Sequence, residues 1–339
     1  MKLELNTTPA QFNSLQDEWN ALVPRSAINE IFLTWQWQTT WWQAYHPGDL
    51  WIVTAHDDAG NLVGVAPWFV ERDSRIVRTI GCTEVTDYLD VLCSPDARPT
   101  FYAALADFLI QHAADYSHVN LCNIPEDSPT FEMLPRSLSE RGFAVEIKQE
   151  DVCPYITLPG DWDQYLERLD KKNRHELRRK LRRAENSRDQ GEAVDWYFVG
   201  PEHDLMAEID RFLSLMAASH PNKAKFLENP GHQAFFRSII PLVADCGWLQ
   251  LSFLTVNGNA VATYLNFDYD NRILVYNSGL LPETYAYLSP GIVLLCYNIQ
   301  HAIARHRSEF DFLQGNEEYK YRMGGQDRAV KMLEASRTT

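Results

Sequence analysis

The chain has 339 residues, 45% hydrophobic and 23% charged, which excludes disordered and fibrous classes and leaves room for two domains. Its formal net charge of −15 argues against a DNA-binding or general nucleic-acid-binding protein. No stretch is long and apolar enough to span a bilayer, and no apolar run follows a basic region at the N-terminus, so a cytoplasmic location is expected. Cys82, Cys93, Cys122, Cys153, Cys246 and Cys296 form no CxxC pair; reduced thiols are expected, with neither a disulfide framework nor a metal site.

In chain order, Pro9 to Leu22 and the tryptophan-rich Thr34 to Tyr45 carry helical patterns. Trp35, Trp37, Trp41 and Trp42 suit a helix packed on a sheet better than a ligand cage. From Leu50 to Phe69 the pattern is strand, tight turn at Asp58-Ala-Gly-Asn61, strand, which is a β-hairpin. A third strand is expected over Ile76 to Ile80, a helix over Thr100 to Ala114 and a closing strand over His118 to Asn123.

A seam is placed at Pro154 to Asp161, giving domains 1–155 and 156–339. Just after it, Arg168 to Arg183 holds nine Lys or Arg against two acids. Leu166, Leu169, Leu177, Leu181 and Ala184 share one face, so the spacing predicts a single amphipathic helix over 163–186. Its basic side is either a solvated face paired with the acidic body or a landing strip for a phosphorylated substrate or membrane surface.

The same unit then recurs. Helices Glu202 to Ser219 and Gly231 to Cys246 precede a second hairpin, turned at Asn257-Gly-Asn259. A third strand over Arg272 to Ser278, a helix over Gly291 to His306 and a strand over Glu309 to Leu313 complete the copy. Both halves read α-α-β-β-β-α-β, an α/β (α+β) fold with two lobes, each a mixed, mainly antiparallel sheet flanked by helices. Before the last helix, Ser289 suits the cap and Pro290 the first turn, and the free N–H groups there suit an anion such as a pyrophosphate.

Four stretches carry a family resemblance: Thr86-Asp-Tyr-Leu-Asp-Val-Leu92, the basic run Lys172 to Arg183, Tyr287-Leu-Ser-Pro-Gly-Ile-Val-Leu-Leu295, and Phe310-Asp-Phe-Leu-Gln-Gly-Asn-Glu-Glu-Tyr-Lys-Tyr-Arg-Met-Gly324. In this order the sequence resembles the GCN5-related N-acetyltransferase (GNAT) superfamily. Within it, the chain looks like the two-lobed branch of cellulose-biosynthesis-type (CelD-like) acetyltransferases and Fem-type aminoacyl transferases. The resemblance implies tandem lobes, the first degenerate and the second holding acetyl-coenzyme A or another acyl-coenzyme A. It implies a strand, Tyr276-Asn277-Ser278-Gly279, splayed from its neighbour to pair with the donor's pantetheine arm. The pyrophosphate would lie near Leu288, Ser289, Pro290 and Gly291. The superfamily's glycine-rich Gln/Arg-x-x-Gly-x-Gly loop is absent, Leu281-Pro-Glu-Thr-Tyr-Ala-Tyr287 stands in its place, and Pro290 removes a donor.

Acyl transfer to an amine needs a deprotonated nucleophile, a stabilised oxyanion and a proton for the leaving thiolate. Lys320 matches the lysine of the related transferases' Tyr/Phe-Lys motif and is expected over the reacting carbonyl or a substrate phosphate, with Tyr319 as proton donor. Asp311, Gln314 and Arg322 are candidate substrate contacts; the alternative pairs Lys320 and Arg322 with Glu317 and Glu318 on a surface turn. In the first lobe Asp87 and Asp90 are candidate bases and Tyr88 a substrate contact, or the segment caps a helix. His220 is a candidate acceptor contact. Three functions remain open: an N-acyltransferase acting on a sugar, cell-envelope or exopolysaccharide intermediate or small metabolite; an aminoacyl transferase using charged tRNA; and a non-catalytic component of an exopolysaccharide-synthesis complex.

Overall fold

The chain opens with a short strand, β1 (Leu3–Asn6), and two helices, α1 (Pro9–Ser14) and α2 (Gln16–Leu22). Thr8 starts α1 through a capping box, its hydroxyl accepting from the Gln11 N–H while the Gln11 side chain accepts from the Thr8 N–H. Helix α3 (Trp35–Tyr45) buries Trp37, Trp41 and Trp42, the last two against Phe69. The expected hairpin follows as β2 (Gly48–His56) and β3 (Leu62–Glu71), then β4 (Ile76–Thr79), β5 (Leu92–Cys93), α4 (Arg98–Gln111), β6 (His118–Pro125), α5 (Thr130–Ser139) and β7 (Phe143–Thr157).

The second half begins with α6 (Trp162–Arg168), α7 (Lys171–Glu185) and β8 (Val194–Phe198). Helices α8 (Leu205–Ser219), α9 (Pro221–Leu227) and α10 (Pro230–Asp245) come next. The second hairpin is β9 (Leu249–Val256) and β10 (Asn259–Tyr269), followed by β11 (Arg272–Leu280), α11 (Pro290–Ala304), β12 (Glu309–Asp311), α12 (Glu318–Arg322) and β13 (Gln326–Arg337). This is a computed structural model that describes residues 1–82 and 85–338, apart from the side chains of Arg188 and Gln190.

Two compact units result, residues 1–152 with 328–339, and residues 153–327. The boundary at Val152 lies three residues from the expected one, and the last strand does not stay with the second unit. Val330, Leu333 and Ala335 are buried and β13 pairs antiparallel with β6, so those apolar groups join the first core. In the first unit the strand order is β1-β2-β3-β4-β6-β13; in the second it runs from the end of β7 through β12-β11-β10-β9 to β8. In each, a parallel pair (β4 with β6, β11 with β12) closes an otherwise antiparallel set, as the repeat requires.

Two expectations need correction. The basic segment is two helices rather than one, because Leu169 is extended and the Asp170 carboxylate accepts from the Asn173 N–H, starting a new helix. Cys82 and Cys122 form a disulfide rather than reduced thiols; the turn after β4 and strand β6 bring their Cα atoms to 5.8 Å across 40 residues of chain. Cys93, Cys153, Cys246 and Cys296 are not disulfide-bonded.

Candidate active site

Strand β11 defines the site. It pairs with β10 from Arg272 to Leu280, but with β12 only over Arg272 to Leu274. The register with β10 shifts where Asn266 faces Val275 and Leu265 faces Asn277, leaving Tyr276 as an extra residue. A bulge of this kind bends and twists a strand, which carries Tyr276 to Leu280 out of the β12 ladder. The Tyr276 ring packs near Phe236 and Phe267, centroids 6.0 and 5.1 Å away, and anchors the bulge. At Gly279 an added Cβ would lie 2.4 Å from the backbone of Leu215 and Met216, so α8 crosses the strand there at a distance only glycine permits.

Beside the freed strand end lies a cavity of about 360 Å³ with Lys180, Tyr264, Ser278, Leu280, Ser289 and Tyr319 on its wall. Pro290 and Gly291 line it too, so four of the eight expected cofactor contacts border one space. Leu288 is buried instead, and neither Tyr276, Asn277 nor Gly279 lines the cavity. Gly291 sits close, since a Cβ there would meet Leu280 Cδ2 at 3.2 Å. Burial holds the phenols of both Tyr264 and Tyr319 well above their ordinary pKa, so both keep their protons.

Ser289 does not cap α11 through its side chain. It has left-handed backbone angles (φ 54°, ψ 54°), and its hydroxyl accepts from Lys180 Nζ at 2.9 Å. That side chain makes no hydrogen bond to the first N–H groups of the helix, and Tyr285 is left-handed as well. Strain at two non-glycine residues in one connection marks a segment held by its surroundings. Arg183 donates to the Tyr287 carbonyl at 2.6 Å, so two residues of the basic helix fasten the connection before α11. The sequence singled out this helix by its charge but not Lys180 within it.

Lys320 is buried (2% exposed). Its ammonium donates to the carbonyls of Leu313, Gln314 and Gly315 at 3.0, 2.7 and 2.9 Å and pairs with Glu317 at 2.9 Å. Asp311 holds the same loop by accepting from the Leu313 N–H at 2.7 Å. Arg322 is exposed and pairs with Glu318 one turn away, as the alternative reading had it.

His220 is exposed and caps α9, its Nδ1 accepting from the Asn222 N–H at 3.1 Å. Three residues on, Lys223 was missed by sequence reasoning, because one lysine after His-Pro-Asn carries no pattern. It donates to Asn277 Oδ1 at 3.0 Å and to the Ser278 carbonyl at 2.6 Å. Burial pushes its pKa down to about 8, against the opposing field of Glu317.

The first-unit candidates lie in a segment tied to β6, where Asn123 donates to the Thr86 carbonyl and accepts from the Leu89 N–H. Tyr88 is fully buried and Asp87 half-buried. Asp90 is buried, with the hydroxyls of Ser128 and Thr130 and the Val91 N–H donating to it, and burial raises its pKa to about 6. Among the described residues, no group of three or more metal-ligating side chains is placed to hold a metal ion, and no helix is long and apolar enough to cross a membrane.

Residues 171–321 match the family described as an acetyltransferase (GNAT) domain. No curated protein matches the chain. Among solved structures the chain is similar to FemX, with 10% identity and a TM-score of 0.65 over 98% of this chain and 97% of that one. It is also similar to L-PGS from Bacillus licheniformis, with 10% identity and a TM-score of 0.57 over 99% and 94%. A tandem GNAT protein from the clavulanic acid biosynthesis pathway aligns over the whole of both chains, with 11% identity and a TM-score of 0.50. At such identities these neighbours establish the fold alone.

Proposed function

Starting from residues 171–321 as an acetyltransferase (GNAT) domain, and from the chain as an acyltransferase of that superfamily, we propose that it transfers an acyl group from coenzyme A to an amine. The acceptor class is an amino group of a sugar, an envelope or exopolysaccharide intermediate, or a small metabolite, met in the cytoplasm. The observation that carries this reading is the early end of the β11–β12 ladder at Leu274 and Asp311, beside a cavity that reaches the start of α11.

The residues present suit a thioester carrier. Apolar Leu280 and Ile292 with polar Ser278 offer a slot for a pantetheine arm, and a cavity of a few hundred cubic ångströms is of ligand size. When bound, the donor supplies an activated carbonyl and a thiolate leaving group. Gly291 and Ile292 present N–H groups at the positive end of the fifteen-residue α11, and Lys180 stands beside them. Lys180 and Arg183 thus replace with side-chain charge what the missing glycine-rich loop would give through its backbone. Tyr319, protonated and on the cavity wall, would protonate sulfur in this reading.

Lys320 serves this site by position. Three carbonyls and one carboxylate occupy its ammonium, so it shapes the loop from Leu313 to Glu317 that carries Tyr319 rather than polarising a carbonyl. Gln314 and Asp311 belong to that loop, His220 caps α9, and Asp90 accepts from the hydroxyls of Ser128 and Thr130 at the start of α5.

Isothermal titration with acetyl-coenzyme A and with coenzyme A tests the reading; binding in the micromolar range is expected, and silence of both at millimolar concentration would remove it. A second reading, aminoacyl transfer from charged tRNA, is favoured by the exposed Lys171, Lys172, Arg178, Arg182 and Arg183 of α7. Steeply salt-dependent tRNA binding would select it.

A further inference from the structure

We propose that Lys223 is the base that takes the proton from the acceptor amine, acting from α9 at the opened end of β11. The inference rests on the acyl-transfer reading above and adds a catalytic residue to it. Lys223 Nζ bonds the carbonyl of Ser278, and Ser278 also lies on the cavity wall. The amine is therefore held at the strand residue beside which a pantetheine arm would run. Its two short hydrogen bonds, to Asn277 Oδ1 and Ser278 O, leave a neutral amine one lone pair, which is what a base requires. Burial brings the neutral form within reach near physiological pH as a minority species, since the pKa falls to about 8.

The helix of Lys223 also carries Lys225, with Glu228 at its C-terminal end. Glu317 favours the ammonium and is itself paired with Lys320. His220 caps the same helix at the surface, and His232 of α10 stacks on Phe226 at 3.8 Å. The last turn of α8, Met216-Ala-Ala-Ser219, carries no titratable side chain. Proton balance is straightforward. The acceptor arrives as an ammonium and gives one proton to Lys223; its nitrogen attacks the thioester carbon, and the C–N bond forms. The C–S bond breaks with its electron pair on sulfur. The nitrogen's second proton replaces the one the thiolate receives from Tyr319, and Lys223 returns the first to solvent.

The test uses the full chain. In carbon-13 NMR of protein labelled at lysine Cε, the resonance lost in Lys223→Arg should titrate near pH 8; a midpoint near the ordinary value of about 10.4 overturns the proposal. In thiol-release assays with acetyl-coenzyme A at pH 7, glucosamine and hydroxylamine serve as acceptors. Hydroxylamine arrives uncharged and needs no proton removed before attack. Lys223→Arg keeps the charge and the hydrogen bonds but holds its proton, so it should lose about 10²-fold with glucosamine and far less with hydroxylamine. Equal losses with both acceptors, or full activity of Lys223→Arg, would reduce Lys223 to a residue that positions the strand end. Those outcomes with coenzyme A binding intact remove this inference alone; no coenzyme A binding removes the acyl-transfer reading and this inference together.

Discussion

Replacing Lys320 with methionine separates holding a loop from polarising a carbonyl. The methionine fills similar volume but leaves the carbonyls of Leu313, Gln314 and Gly315 without their donor. Hydrogen bonds to a charged donor are worth about 1.5–3 kcal/mol each, and relief of the buried charge offsets part of their loss. Glu317 is 59% exposed at its side chain, so the ion pair itself adds little. With three carbonyls each left unsatisfied at about 1–3 kcal/mol, and the relieved burial of the charge offsetting part, the expected net loss is about 3–5 kcal/mol. At about 2–4 °C per kcal/mol, the second unit should melt on the order of 10 °C lower in scanning calorimetry. A variant that melts with the wild type yet turns over about 10²-fold more slowly would refute this reasoning and return Lys320 to the reacting carbonyl.

Two further outcomes follow from the geometry. Lys180→Ala should weaken coenzyme A binding about tenfold, or about 1.4 kcal/mol, and flatten its salt dependence; unchanged affinity in calorimetry would place the phosphates elsewhere. Asp90 has a folded pKa of about 6 against an ordinary 3.8, so its contribution is fully present below the lower value and lost as pH rises through the upper. Between pH 7 and 4.5 the wild type should gain about 2 kcal/mol in urea unfolding relative to Asp90→Asn, and parallel curves would contradict this.

The repeated hairpins were legible because apolar alternation and turn residues are local signals. The turns at Gly60 and Gly258 and the strands around them fall where the pattern places them. So did the strand–loop–helix at Ser289, and the basic run that turns its leucines inward, since Leu177 and Leu181 are buried. The break at Leu169 escaped because a polar cap at Asp170 outweighed an unbroken apolar stripe. The disulfide between Cys82 and Cys122 escaped because nothing local links a turn to a strand 40 residues on.

The sequence by itself determined the order of elements, the acidic body with one basic helix, and the strand–loop–helix ahead of α11, since each depends on neighbours along the chain. Only the tertiary structure decided where β11 leaves β12, that the Lys320 ammonium is enclosed by carbonyls, that Lys180 reaches Ser289, and that Lys223 meets Ser278. Those outcomes depend on distances between segments far apart in the chain, and side-chain roles are set by what lies within hydrogen-bond reach after packing.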